Sequence, residues 1–331
     1  MECAMTDRRD FLALLAGLGA SSSPLFVQAQ VSAGWTLVTG YSAESFHGQN
    51  LAAFANDLTA AGLKVDVAAN NSLFKLPDIA GAVRDGKAEM GETIMTSLVK
   101  EMPVAGADSV PFIVRSYGDA KRLWKHQRPL IEKKFASIGL KPLLAVPWPP
   151  QGLYTKVPIT RAADLKGTKM RTFNNTTQRI AQMLGATPLD VPMAQVGQAL
   201  ADGKIDCMIT SAVTGVENQV WDHVKNYYEI NAWFPKNITC ANAKAFDALS
   251  PDQKKTVLAS AATAETRGWA ASEKAAVESV EELRRKGMKV ERVSPELLAD
   301  IKRMGERFSL EWVREVGNEA NDIFIPYYTN Q

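Results

Sequence analysis

The chain has 331 residues, 46% of them hydrophobic and 22% charged, which is ample apolar material for two globular lobes. Its 38 basic and 36 acidic side chains nearly cancel, excluding the strongly basic balance of a nucleic-acid or anionic-membrane binder. No stretch reaches the ~20 apolar residues that a membrane span needs, so stable membrane insertion is excluded too.

The N-terminus reads as an address. Arg8-Arg9-Asp10-Phe11-Leu12 fits a twin-arginine export signal, with an apolar run over 12–20 and the small-residue stop Val27-Gln28-Ala29. Residues 1–29 are expected to be removed, leaving a mature chain from Gln30 in the bacterial periplasm. That cut takes Arg8 and Arg9 with Glu2, Asp7 and Asp10, leaving 36 basic against 33 acidic residues. Only Cys207 and Cys240 remain of the cysteines. An oxidising compartment permits a disulfide between them, and two buried free thiols fit the sequence equally well.

Alternation over 35–39 predicts a strand. A helix follows over about 46–61, then a strand over 64–68, a helix over 76–84, a strand over 90–94 and further alternation to 145. This order predicts a largely parallel sheet with right-handed crossovers. Pro147-Trp148-Pro149-Pro150-Gln151-Gly152 ends it, since three prolines and a glycine cannot continue a helix and mark a linker. The pattern then restarts, with strands over 153–155 and 169–173, helices over 177–184 and 194–202, and a strand over 205–210. A second crossing is expected near 233–237, with a strand over 238–241 returning to the first sheet.

Ser250-Pro251-Asp252-Gln253 supplies an N-cap, a proline at the first helical position and a glutamine three residues after the cap. Nothing stops the pattern before Gly287, and apolar residues recur at helical spacing from Val257, Ala261 and Ala264 to Val277, Val280 and Leu283. About 36 residues at ~1.5 Å rise make a rod of roughly 54 Å, longer than one lobe is wide. Such a helix should bridge both lobes. A dimerising coiled coil is the alternative, and its sustained a/d leucines are missing. Ser294-Pro295 begins a last helix, to about 316. The fold class is therefore α/β and bilobal, with lobe I over 30–150 plus about 238–268 and lobe II over 151–237 plus about 269–331.

The segment Asp164-Leu165-Lys166-Gly167-Thr168-Lys169-Met170-Arg171 reads as a glycine turn feeding a short strand, which puts Arg171 near the strand end where α/β proteins place ligand contacts. A guanidinium is planar and charged, and its forked donors match both oxygens of a carboxylate. These eight residues resemble the DLKGxKxR motif of the solute-binding proteins of TRAP transporters, the tripartite ATP-independent periplasmic uptake systems. Further matches follow in the same order: Leu184-Gly185-Ala186-Thr187-Pro188, Pro192, Val196, Ala199-Leu200 and Gly203-Lys204-Ile205-Asp206. Upstream, residues 86–90 are similar to that family's first-domain turn, and Val110-Pro111-Phe112 to a first-domain strand. The resemblance covers roughly 34–325.

What the resemblance implies is a binding-protein fold with the long helix known in that family, closing on a small carboxylate and handing it to a membrane permease, without catalysis and without a cofactor. Relatives that bind sialic acid carry a second arginine where this chain has Gln151, so the resemblance implies a ligand with one carboxylate. Thr210 falls at a further family contact. The residues that help hold sodium in the keto-acid branch are absent, so no metal is expected. By position, Phe46 and His47 open the first helix, Glu92 and Thr93 end a strand facing the cleft, and Trp148, Tyr154, Phe173 and Trp233 lie near the crossings. For each aromatic, plain core packing is the competing explanation. Asn174 follows the arginine strand and could donate to a hydroxyl or keto group, or form an ordinary turn. The ligand expected is a monocarboxylic acid of 2-oxo, 2-hydroxy or aromatic type.

A periplasmic enzyme or sensor-input protein on the same scaffold is the competing functional reading. Ser72-Leu73-Phe74-Lys75 matches S-x-x-K, but its S-D-N and K-T-G companions are missing. Cys207 with His223 is conceivable as a nucleophile pair, but a strand among apolar neighbours favours an inert thiol.

Overall fold

The computed structural model describes residues 34–329, so the expected export signal and cleavage site lie outside the described residues. In chain order the first part runs β1 (Trp35–Thr39), α1 (Phe46–Ala60), β2 (Val65–Ala68), α2 (Ile79–Arg84), β3 (Met90–Ile94), α3 (Tyr117–Ser137) and β4 (Leu140–Pro147). The second part runs β5 (Gln151–Thr155), β6 (Lys169–Thr172), α4 (Asn175–Met183), β7 (Thr187–Asp190), α5 (Val196–Ala201), β8 (Cys207–Ser211), α6 (Ala212–Glu217) and β9 (Asn226–Tyr228). The chain closes with β10 (Lys236–Asn242), α7 (Ala243–Asp247), α8 (Pro251–Arg285), β11 (Lys289–Glu291), α9 (Pro295–Val316) and α10 (Asn318–Thr329).

Two sheets result, with strand orders β2-β1-β3-β10-β4 and β11-β9-β5-β8-β6-β7. They are parallel at β2, β1 and β3 and at β8, β6 and β7, but β10 runs antiparallel to β3 and β4, and β5 runs antiparallel to β8 and β9. The expectation of largely parallel sheets is corrected at these two strands for one reason. Each begins at the interlobe crossing, where the other strands end, so it must run back.

The crossings pair with each other. Trp148 N donates to Pro235 O at 2.8 Å, Gln151 N to Trp233 O at 3.1 Å and Ala232 N to Gln151 O at 2.9 Å, giving a two-stranded hinge. Helix α8 is 35 residues long, or about 52 Å. Its capping box forms between Ser250 and Gln253. It packs against α1 and β4 of the first lobe and α6 and β11 of the second. At its middle, Gly268 has a requirement the sequence does not reveal. An added Cβ would lie 2.4 Å from a Val146 methyl and 2.8 Å from Asn50 Nδ2, so only glycine lets the helix approach the sheet this closely. Trp269 then donates Nε1–H to Ala145 O at 2.9 Å.

Other departures are local. Val110-Pro111-Phe112 forms a turn with Phe112 at φ 64°, not a strand. Helix α3 occupies part of the stretch read as alternation, its apolar residues Leu123, Trp124, Ile131 and Phe135 being buried at helical spacing. The C-terminal segment, assigned on sequence to lobe II, ends in α10, which packs on α3 of the first lobe. There Tyr327 Oη donates to Ile113 O and Lys134 pairs with Glu319. Cys207 and Cys240 are both buried and free, one in each sheet, which removes the disulfide option.

Candidate functional site

On the second-lobe side, β6 ends with Arg171 and Thr172 and is flanked by β7 and β8, both parallel to it. Gly167, at φ 79°, makes the turn that starts the strand. Arg171 is only 3% exposed. Its Nε donates to Val191 O at 3.0 Å, and its guanidinium carbon stands 4.6 Å from the Phe173 ring centroid. Among the described residues it has no carboxylate within ion-pair distance. Burial pushes it down to about 10, against the longer-range pull of Asp190 and Tyr41, so it stays cationic at neutral pH. The forked end of a buried guanidinium is thus left without an anion from its own chain.

The first-lobe side is an aromatic wall built on a polar frame. His47, second in α1, has ring centroids of Phe46, Trp148 and Tyr41 at 4.2, 4.6 and 5.5 Å. Its Nδ1 lies 3.0 Å from Glu92 Oε1, while Glu92 Oε2 accepts from the Thr39 hydroxyl at 2.9 Å. Asn237, at the start of β10, accepts on Oδ1 from both Trp148 Nε1–H at 2.9 Å and the Tyr41 hydroxyl at 3.2 Å. Trp148 can only donate, which fixes that amide and turns Nδ2 toward His47 Nδ1 at 3.3 Å. His47 Nε2 is buried without a partner among the described residues. Burial pushes the Tyr41 phenol well up and Glu92 adds to it, while the Asn237 and Trp148 hydrogen bonds and the charge of Arg171 oppose them.

The two sides meet. Tyr41, Ile94 and Trp148 pack with Val213 of α6, joined by Phe46, Phe173 and Met193. Asn174 Nδ2 donates to Thr96 Oγ1 at 2.8 Å from one lobe to the other. The lobes are therefore in contact across the cleft. An open hollow of about 790 Å³ between α1, α6 and α8 reaches Phe46, Val213 and Ala275, and one of about 390 Å³ lies on the first lobe near Arg84; Arg171 lines neither.

Of the residues singled out from the sequence, Arg171, Phe46, His47, Glu92, Trp148 and Phe173 come together at this junction. Gln151 pairs with Ser211 and Thr210 with Gly152 on adjacent strands, so their side chains face opposite sides of the sheet, and both are occupied locally: Gln151 Nε2 donates to Pro149 O and Thr210 Oγ1 to Thr214 Oγ1. Thr93 is held within the first lobe by Leu76 O and Ser97. Tyr154 lies in the second-lobe core against Tyr227, with its hydroxyl on Ser211 O, and Trp233 is in the main core, so core packing accounts for both. Asn174 has its amide engaged by Thr177 and Thr96, so the donor expected for a ligand is already used. Sequence reasoning missed Tyr41, Thr96 and Asn237. Tyr41, two residues past the end of β1, was open to the same strand-end argument that pointed to Arg171.

Two lobes, a paired hinge, a helix spanning both and a buried arginine at the junction describe an architecture already known. The model of the family "Bacterial extracellular solute-binding protein, family 7" matches residues 41–314. The chain belongs to that family. The Bordetella pertussis extracytoplasmic solute receptor DctP6, crystallised binding pyroglutamic acid, is 34% identical, with 90% of this chain and 100% of that one covered and a TM-score of 0.87. A marine-metagenome TRAP solute-binding protein specific for pyroglutamate is 33% identical, covering 89% and 98%, with a TM-score of 0.86. The Escherichia coli K12 2,3-diketo-L-gulonate-binding periplasmic protein YiaO is 28% identical over 265 residues, 75% of this chain and 76% of that one. This chain is accordingly the periplasmic solute-binding subunit of a TRAP transporter, taking a small carboxylate and delivering it to the membrane permease. Its relatives are transport receptors, which sets the enzyme reading aside. No helix among the described residues is long and apolar enough to cross a membrane.

Proposed function

We propose that this receptor captures pyroglutamate or a closely related small cyclic monocarboxylic acid. The observation that carries the reading is Arg171, a buried guanidinium whose fork has no anion of its own, in a chain about a third identical to pyroglutamate receptors over nine-tenths of its length. In this reading Arg171 takes the carboxylate in bidentate fashion. Tyr41, Phe46, Trp148 and Phe173 enclose the ring, and the unpartnered His47 Nε2 is the nearest candidate for the ligand's polar edge. Gln151 in place of a second arginine suits a single carboxylate.

Export by the twin-arginine signal of residues 1–29 belongs to the same proposal. So do the bodies that close: 30–150 with about 238–268, and 151–237 with about 269–317, α10 travelling with the first. A 2-oxo acid is the second reading, favoured by the similarity to YiaO.

The test is calorimetry and thermal shift on the mature chain with L-pyroglutamate, a panel of 2-oxo and 2-hydroxy acids, and uronates. A ligand at a hundred times its dissociation constant adds about 2.7 kcal/mol to stability. One-to-one binding of L-pyroglutamate, recovered unaltered afterwards, supports the proposal. Tighter binding of a 2-oxo acid transfers it to the second reading, and conversion of the ligand ends the binding-only account.

A further inference from the structure

We infer that the Asn174–Thr96 hydrogen bond is a latch between the lobes that sets how long the ligand stays, and that Asn174 does not itself read the ligand. The inference rests on the capture-by-closure reading above. Asn174 is the N-cap of α4, where its Oδ1 accepts from Thr177 N at 2.8 Å. The same amide has a second end, and Nδ2 reaches out of the second lobe to Thr96 Oγ1, 2.8 Å away. Thr96 lies in the short helical turn that follows β3, belongs to the first lobe and is 1% exposed. Among the described residues the Thr96 side chain has no other hydrogen bond, so the one its buried hydroxyl oxygen accepts comes from the other lobe. When the lobes part, Asn174 keeps its cap while Thr96 must find water.

Position makes the pair responsive to the ligand. Arg171, Phe173 and Asn174 lie within four residues, so the backbone that carries the carboxylate anchor and one ring of the wall also carries the latch. Holding Arg171 against a ligand shared with the first lobe brings Asn174 into register with Thr96. A hydrogen bond made only in the closed form slows opening and leaves the first encounter alone, so it acts on the off-rate.

The experiment uses the mature chain with L-pyroglutamate and follows tryptophan fluorescence by stopped flow in Thr96→Val, Asn174→Ser and the double variant. Serine is itself a good N-cap, so α4 stays capped while the reach to Thr96 is lost. The expected result is an off-rate raised about three- to tenfold in each single variant, an on-rate within twofold of wild type, and a double variant no faster than the worse single one. Thr96→Val leaving the off-rate within twofold, or losses that add, overturns the latch. A ligand contact at Asn174 would instead make Asn174→Ser costly and Thr96→Val harmless. Should the wild type fail to bind L-pyroglutamate, the ligand proposal fails by itself. The latch is then read in the ligand-free protein from the interlobe distance between spin labels at Lys125→Cys and Gln182→Cys. A short-distance population that shrinks in Thr96→Val supports it; one that is absent from the parent or unchanged in the variant overturns it.

Discussion

Arg171 and Lys236 are both cations removed from water near the interlobe crossings, and their surroundings could hardly differ more. Lys236 is fully buried with Nζ 3.1 Å from Asp108 Oδ2, off the line of an ideal hydrogen bond, and 5.6 Å from the Trp124 ring centroid. Asp108 is itself tied down, accepting from Lys236 N at 2.9 Å and from the Ser109 hydroxyl at 2.9 Å. Burial lowers the Lys236 ammonium and Asp108 pulls it back. Arg171 has a carbonyl, an aromatic face and a distant acid, and among the described residues nothing that neutralises it. A buried cation whose anion is built into the chain fixes a hinge. One whose anion is missing is, in the proposed reading, a site, because its desolvation is offset only when a ligand supplies the charge.

The largest effect expected from breaking this comparison is at the structural pair. Asp108→Ala or Lys236→Ala strands a buried charge, and each should lower the unfolding free energy by about 3–5 kcal/mol in urea titration. The Asp108→Asn, Lys236→Met double variant should recover most of that loss. Arg171→Ala behaves in the opposite way. Affinity should fall over a hundredfold, about 3 kcal/mol by calorimetry, and Arg171→Lys should also fail because the fork is lost. Stability should stay within about 1 kcal/mol in Arg171→Met, or rise, since an unpaired buried ion is removed. A loss of binding below tenfold would show that Arg171 is not the anchor. Gln151→Arg adds a third cation on the hinge side of the site. It should shift preference toward dicarboxylates by roughly tenfold in competition binding and cost about 1–3 kcal/mol of stability in the ligand-free protein.

How much of this was legible from the sequence follows the same division. The place of Arg171 at a strand end could be read because its cues are local: a glycine turn and a short strand. Helix α8 could be found because a capping box and a helical repeat are written along the chain. Lys236 could not be found, since Asp108 is remote in sequence and pairs only through the returning strand β10. The same applies to Asn237, Thr96 and the closeness that requires Gly268. Tyr154 and Trp233 misled for the converse reason. An aromatic near a crossing has the same sequence context whether it faces the cleft or the core, and here the Ser211 carbonyl and the packed interior hold them.

The smallest expected effect sharpens the comparison through pH. Burial pushes Arg171 down to about 10 in the free protein, well below an exposed guanidinium. Between pH 6 and 9 the group is charged in free and bound states alike, so the affinity for L-pyroglutamate should be flat, once the ligand's own ionisation is allowed for. Above about 10 the free protein gives up a proton that binding must restore, and affinity should fall toward tenfold per pH unit. Stability moves the other way. The folded chain releases this proton before the unfolded chain does, so above pH about 10 the unfolded state binds more protons, and the contribution of Arg171 to stability rises with pH. Urea titrations of wild type and Arg171→Met across that window isolate the contribution as a difference, free of the lysines and tyrosines that titrate in both. Lys236 should show no such link to ligand, because its carboxylate stays beside it whether the cleft is occupied or not.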